Sequence, residues 1–343
     1  MKRILVTGAG GYIGSVMVET FLERGFRVVG LDRYFFGVNL LGKKVLNHPQ
    51  FQLLRTDIRW VSGDIFKDVD VVIDLASLSN DPSGAINPAL TDEINHKGRV
   101  RIARLAKESG VKRYILASSC SVYGHGTDEL LTEDSPTAPI TEYAKANISA
   151  EREILPMNDE HFVTTALRQA TVYGLSPRMR FDLVINLMTL HAAQKGKIFI
   201  MGGGKQWRPL VHVKDTVEAF IKAVKAPKDK IGGEIFNIGS SEQNYQIVNL
   251  AYLVKENIPF RIEVETAPDD PDKRDYHVSF DKIKNVLGFR PRYTPEMGIQ
   301  EIYQALKAGK VDANDKTVTV RWYKYLIDAD NSLSSVRIEG KLF

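Results

Sequence analysis

Thr7-Gly8-Ala9-Gly10-Gly11-Tyr12-Ile13-Gly14 lies directly behind an apolar run, Ile4-Leu5-Val6, and directly ahead of an amphipathic one. A buried strand that ends in glycines turns sharply, Gly11 and Gly14 let an anion and a neighbouring segment come close, and the next helix aims its free N–H groups at that anion. The spacing is Gly8-x-x-Gly11-x-x-Gly14, with Ile13 where the tighter G-x-G-x-x-G form has its last glycine. A second apolar run, Val28-Val29-Gly30-Leu31, ends in Asp32, eighteen residues after Gly14. An acidic side chain there accepts hydrogen bonds from an adenosine ribose and repels a 2′-phosphate. The two features together predict a dinucleotide site for NAD, with Arg33 as the one neighbour that argues for NADP.

The rest of the composition fits such a protein. The chain has 343 residues, 43% of them hydrophobic, which suffices for two lobes. Its 46 Lys and Arg against 42 Asp and Glu give a net charge of +4 without a run of five basic residues, so no nucleic-acid surface is predicted. Met1-Lys2-Arg3 leads into an apolar run too short for a secretory core, and no membrane span is expected, which points to the cytoplasm. Cys120, the single cysteine, excludes an internal disulfide and a cysteine-based zinc cage, and no metal site is predicted.

Strand and helix alternate along the first half. A helix is read over 12–24, with Ile13, Val16, Met17 and Phe21 on one stripe and Gly25 as its C-terminal cap. Phe51 to Leu54, Val71 to Ile73 and Tyr114 to Ala117 are apolar runs that each end in polar or small residues, as strands of a parallel sheet buried on both faces do. Residues 93–109 read as a crossover helix closed by Gly110. After about residue 170 the pattern loosens into helices near 183–194 and 247–257, with an acidic loop at 267–272 expected over a site. Trp322, Tyr323 and Tyr325 in the last stretch require burial at a place the sequence does not specify.

These residues, with Asp57-Ile58, Ser118-Ser119-Cys120-Ser121-Val122-Tyr123-Gly124, Tyr143 and the run Trp207 to Asp215, resemble the extended short-chain dehydrogenases/reductases, in particular the NAD-dependent sugar-nucleotide epimerases and dehydratases. The likeness spans residues 1 to about 308. It implies an α/β fold: a Rossmann doubly wound parallel sheet with a smaller C-terminal α+β substrate lobe. The expected division is an NAD-binding domain over 1–170, to which the chain returns at about 205–240, a substrate lobe over 171–204 and 241–308, and a tail, 309–343, without assigned role.

By the same resemblance Gly8, Gly11, Tyr12, Ile13 and Gly14 hold the pyrophosphate, Asp32 the adenosine ribose, and Asp57 with Ile58 the adenine. Leu75, Ala76 and Ser77 line the cofactor, and Asn95 lies on the helix behind it. Asp57 as a turn cap and Asn95 as a surface residue are the competing readings. Tyr143 would be the base that takes the hydroxyl proton while hydride leaves the carbon, and Ser119 would hydrogen-bond the same oxygen.

Asn147 stands where this family has its catalytic lysine, although Glu151 keeps the usual downstream acidic position. Lys145 cannot substitute, because a two-residue step carries it to the other side of the helix. Asn147 is expected to keep the hydrogen bonds to the nicotinamide ribose but to supply no charge, so Asn147→Lys is expected to raise the rate at neutral pH. Asp74 replaces a histidine common in the family. Cys120 and Ser121 occupy the places of a dehydratase's acid and base, which disfavours dehydration.

Arg208 and Arg274 fall where the family clamps a nucleotide diphosphate, with surface ion pairs as the alternative. Ser79 would border the sugar; Asn186 would touch substrate or serve as an inward structural amide. The reading is an NAD-dependent epimerase of a nucleotide-diphosphate sugar, acting at C4 through a transient ketone. The alternatives are a net dehydrogenase or ketoreductase, and a catalytically weakened binder of the same ligands. A homodimer through helices near 93–108 and 143–154 is expected.

Overall fold

The computed structural model describes residues 2–125, 130–268 and 274–342. Strand β1 (Arg3–Thr7) buries Ile4, Leu5 and Val6 completely, yet sends them to opposite sides: Ile4 and Val6 join one apolar layer and Leu5 another. The same alternation runs through β2 (Arg27–Asp32), β3 (Phe51–Arg55), β4 (Val71–Asp74), β5 (Arg113–Ser119) and β6 (Val163–Gln169). A strand wet on one face would alternate apolar with polar; the central strands β1, β4 and β5 instead bury apolar residues on both faces, and helices must cover both, while the edge strand β3 leaves Gln52 and Arg55 exposed. Helices Tyr12–Glu23 and Val213–Lys225 cover one, Arg99–Glu108 and Glu142–Ile154 the other.

With β10 (Glu234–Ile238), the sheet is parallel throughout, in the order β10-β6-β5-β4-β1-β2-β3. Its last strand, Glu234–Ile238, comes after the chain has left for the second lobe and returned. Strand order reverses between β1 and β4, so the loops after these two strands diverge and leave a crevice at their carboxyl ends, where such sheets bind ligands. Gly25, at φ +79°, ends the first helix, the N–H of Phe26 reaching back to the Phe21 carbonyl.

The second lobe is built on β7 (Thr171–Tyr173), β9 (Trp207–His212) and β11 (Asn244–Gln246), which form one small sheet, and on β8 (Lys197–Met201) paired with β12 (Glu263–Ala267). Helices Val184–Lys195, Ile247–Glu256 and Pro295–Lys307 enclose a core containing Ile185, Ile198, Leu210, Leu250 and Ile299. Within the segment expected to rejoin the first domain, β9 pairs with β7 and β11, and contact with the large sheet resumes at helix Val213–Lys225.

The crossover helix starts earlier than its apolar pattern indicates, at Pro88, and contains a π-helical stretch, Glu93–Gly98. The last 18-residue helix, Thr319–Val336, folds back across the mouth of the crevice. Among the described residues no helix is long and apolar enough to cross a membrane.

Candidate active site

A cleft of about 1130 Å³ opens at the carboxyl ends of β1, β4 and β5. That exceeds the roughly 300–1,000 Å³ of a pocket for one small ligand. Gly8, at φ +70°, begins its floor: a Cβ there would lie 2.9 Å from the Leu75 carbonyl, and one on Gly14 would lie 2.1 Å from the Gly8 oxygen. Only glycine permits this approach of loop to helix N-terminus. Thr7 locks the neighbouring loop, its hydroxyl donating to Asp74 and accepting from the N–H groups of Leu75 and Ala76 at 3.1 and 3.0 Å. Ser77 Oγ and Gln169 Oε1 both belong to residues lining the cleft, are buried, and have no partner among the described residues. A glycine cradle that a Cβ would fill and orphaned polar atoms along its wall fit a dinucleotide. Gly8, Gly11, Ile13 and Gly14 would hold its pyrophosphate, with Leu75, Ala76 and Ser77 beside the nicotinamide half.

Asp32 lines the cleft and accepts from Gly10 N at 3.0 Å and Tyr34 N at 2.5 Å; burial pushes its carboxyl up, and these N–H groups pull it down. Asp57 also lines the cleft, but its carboxylate is occupied by Arg59, through Nε, Nη2 and the backbone at 2.9 Å, and by Arg33 at 3.1 Å. Its turn-capping role is therefore present in the structure. Tyr12 lines the cleft while its hydroxyl donates to the Gly174 carbonyl at 2.6 Å, tying the first helix to the second lobe.

Three expected site residues lie outside the cleft wall. Asn95, in the π-helical stretch, clasps the backbone of Leu78, accepting from its N at 2.8 Å and donating to its O at 3.2 Å. Asn186 is the structural amide: it accepts from Gly174 N and donates to Tyr12 Oη and the Arg180 carbonyl. Asn147, 1% exposed, donates to the Tyr143 carbonyl at 3.0 Å and accepts from Arg99 Nη1 at 3.0 Å. Each holds another element in place, and none of the three lines the cleft.

The expected gain from Asn147→Lys is reversed by this packing. A lysine at that place would bring its ammonium against a guanidinium, in a site closed to water. Arg99 was not evident from sequence, where it sits among Arg101 and Arg104 as one more helix cation.

Ser119 ends β5, and Tyr143 stands in the first turn of helix Glu142–Ile154, whose N-terminus Thr141 caps by accepting from Ala144 N at 3.2 Å. Both line the cleft. Burial, and then the Asp81 carboxylate, push the Tyr143 phenol above its ordinary range; Arg99, Asn147 and Ser119 act in the opposite direction. Lys145 is exposed and paired with Glu142 at 2.8 Å, on the far side of the helix. Glu151 is buried in a pair with Arg168 and accepts from Ser118 Oγ. Cys120 and Ser121 are buried off the cleft, and burial raises the Cys120 thiol far above its usual value, which leaves neither suited to acid or base work on a ligand.

Across the cleft, Arg208 and Arg274 come together: Arg208 Nη1 donates to the Trp207 and Arg274 carbonyls at 2.7 and 2.6 Å, and Arg274 pairs with Asp81. Ser79 lines the same wall. Of the acidic loop expected over 267–272, residues 269–272 lie outside the described residues.

Sequence reading passed over Arg178 and Arg180, two buried cations in the run Ser176-Pro177-Arg178-Met179-Arg180 that also line the cleft. Arg180 is matched by Asp182 at 2.8 Å. Arg178 lies over the Phe36 ring at 3.6 Å, and burial, with repulsion from Arg180, pushes it down to about 10. Two basic residues flanking one methionine in an otherwise apolar segment were the available signal.

Crevice, cradle and acidic strand end together define a dinucleotide-binding protein of the Rossmann class. Within that class, the chain belongs to the NAD dependent epimerase/dehydratase family, whose model matches residues 4–239. UDP-glucuronic acid decarboxylase 6 of Arabidopsis thaliana is 31% identical over 309 residues, covering 87% of this chain and 86% of that protein. UDP-glucuronic acid decarboxylase 1 of Danio rerio is 28% identical, covering 88% and 72%. Among solved structures, MoeE5 in complex with UDP-glucose and NAD superposes with a TM-score of 0.78 at 26% identity, over 90% of this chain and all of that one. The UDP-glucose 4-epimerase of Thermotoga maritima, at 24% identity, 90% and 100% coverage and a TM-score of 0.79, shares the fold. The cofactor of the family is NAD, in agreement with Asp32.

Proposed function

We propose that the protein is an NAD-dependent epimerase of a nucleotide-diphosphate sugar, oxidising the C4 hydroxyl and reducing the resulting ketone from the opposite face. The observation that carries this reading is the convergence of Ser119 and Tyr143 on one wall of the cleft, between the glycine cradle and the Arg208–Arg274 corner. NAD, which Gly8, Gly11, Ile13 and Gly14 would hold, would supply reversible hydride transfer at C4 with no net change in cofactor over a turnover. Tyr143, ionised, takes the proton of the C4 hydroxyl and gives it back at the end. Ser119 hydrogen-bonds the same oxygen and stabilises its developing charge. Arg208 and Arg274 hold the diphosphate, for which a forked guanidinium is suited, and the sugar reaches back past Ser79.

A second reading is favoured by the named relatives, which are decarboxylases of UDP-glucuronic acid. Once C4 of a uronic acid is a ketone, the C6 carboxylate lies β to it. The C5–C6 bond then breaks with its electron pair flowing toward the ketone, carbon dioxide leaves, and C5 takes a proton. The proton on C5 comes from water, because the one held by Tyr143 returns to the C4 oxygen when the ketone is reduced. NMR of purified protein incubated separately with UDP-glucose and UDP-glucuronic acid distinguishes the outcomes. Inversion at C4 supports the epimerase, carbon dioxide release supports the decarboxylase, and consumption of added NAD supports net dehydrogenation.

Tyr143→Phe is predicted to lower turnover about 10²- to 10⁴-fold, the usual range for loss of a general base. Undiminished turnover in that variant rules out the assignment. The same proposal includes a homodimer, because the helices near 93–108 and 143–154 pack side by side, joined where Glu153 meets His96 and Arg104, and expose one charged face. Light scattering on the purified protein tests it, and a monomer at micromolar concentration contradicts it.

A further inference from the structure

Arg99 follows the π-helical stretch in the crossover helix beneath β4 and β5, and it is 1% exposed. Its donors are placed in an ordered way. Nε meets Asp74 Oδ2 at 2.9 Å, Nη2 meets the carbonyls of Asp74 and Ala117 at 3.1 and 2.6 Å, and Nη1 meets Asn147 Oδ1 at 3.0 Å. The counter-charge lies on the other side of the guanidinium: the Asp74 carboxylate also accepts from Thr7 Oγ1 at 2.5 Å and Tyr114 Oη at 2.6 Å. The pair is thus a buried dipole whose positive end touches the Asn147 carboxamide, one helical turn from Tyr143.

We propose that Arg99 is the cation that promotes ionisation of Tyr143, acting through the Asn147 carboxamide, and that Asp74 sets how much of that charge the phenol feels. Arg99 is a positioning residue, since it touches neither cleft nor ligand. The inference rests on the reading of Tyr143 as the base. It explains how a chain with asparagine at 147 keeps a cation behind its tyrosine. A guanidinium suits this place because it stays charged when buried, where an ammonium loses its proton more readily.

The other groups facing Tyr143 come from four directions. Asp81, the first residue of the short helix Asp81–Gly84 after β4, opposes ionisation, and its pairing with Arg274 tempers that effect. Ser119, at the end of β5, favours ionisation by hydrogen bonding. Arg180, on the segment after β7, also interacts with the phenol. On the tyrosine's own helix Glu142 and Lys145 pair with each other toward solvent, so they contribute little.

The test uses full-length, NAD-loaded protein labelled at tyrosine Cζ with ¹³C. The Tyr143 signal is assigned by its loss in Tyr143→Phe and titrated with pH, alongside the pH profile of turnover. Asp74→Asn removes the counter-charge, keeps the size of the side chain and leaves Arg99 in place. It is expected to lower the Tyr143 titration by about one pH unit, within the shift an opposite charge at close range produces. Asp74→Asn combined with Arg99→Met leaves no unpaired buried charge, and it is expected to raise the titration by about one unit. A structural role alone would move both variants in the same direction or leave both unchanged, and either result overturns the proposal. If the double variant does not fold, Asp74→Asn decides alone: a downward shift supports the proposal and an unchanged or upward one overturns it. Opposite shifts with full turnover in Tyr143→Phe would uphold the electrostatic link and remove Tyr143 as the base. Unmoved titrations with turnover lost in Tyr143→Phe would do the reverse.

Discussion

Asn147 shows how one residue is read differently from sequence and from structure. Its difference from the family lysine is legible in the Tyr143-Ala144-Lys145-Ala146-Asn147 spacing. Its partner is not, because Arg99 lies 48 residues away and meets it only after the crossover helix has passed beneath the sheet. Asn147→Lys is predicted to cost about 3–5 kcal/mol, the range for an uncompensated buried charge, and to reduce turnover. Denaturant unfolding and steady-state rates check both effects; an equally stable, faster enzyme would contradict the packing described. The pH dependence follows from Tyr143. Burial and Asp81 hold its phenol above the ordinary value, and in the proposed mechanism the ionised form is the base, so turnover is predicted to rise with pH toward the alkaline side. Asp81→Asn removes an opposing charge and is predicted to shift that rise to lower pH, read from the same profile. A shift to higher pH would contradict the assigned direction.

At the scale of elements, the strands and the glycine cradle were legible because their physics is local. Apolar runs ending in glycine or serine have few alternatives to a buried parallel strand, and the Gly14 position tolerates no Cβ. Gly14→Ala is accordingly predicted to abolish NAD retention, which absorbance of the released cofactor measures; normal retention would contradict the cradle. The last helix was not legible, since aromatic residues demand burial without naming a partner. It settles against the cleft: Trp322 Nε1 donates to the Phe35 carbonyl at 2.8 Å, the Tyr323 ring meets those of Phe35 and Phe36, and Thr319 is held by Arg178 and Asp182, while Tyr325, expected to be buried, stays exposed. Val320, Tyr323, Leu326 and Ile327 complete the wall beside Arg178 and Asp32. Tyr323→Ala is predicted to speed NAD release about tenfold, equivalent to ~1.4 kcal/mol of lost contact. Stopped-flow fluorescence of bound NADH measures the rate, and an unchanged rate would separate this helix from cofactor retention.

At the scale of the molecule, the cleft lies where the sheet reverses its strand order, and it is lined by residues of both lobes. Tyr12 and Asn186 fasten the lobes at the back of that cleft, through bonds that no periodicity in the sequence announces, because each is a single polar contact across more than 160 residues. The central claim is that hydride leaves C4 of a nucleotide sugar and returns to it while Tyr143 carries the proton. UDP-glucose and UDP-glucuronic acid deuterated at C4 test it most directly, with product isotope content read by mass spectrometry and NMR. The account predicts product that keeps deuterium at C4, with no net NADH, and none formed by Tyr143→Phe. Loss of the deuterium to water, or equal product from Tyr143→Phe, would contradict it.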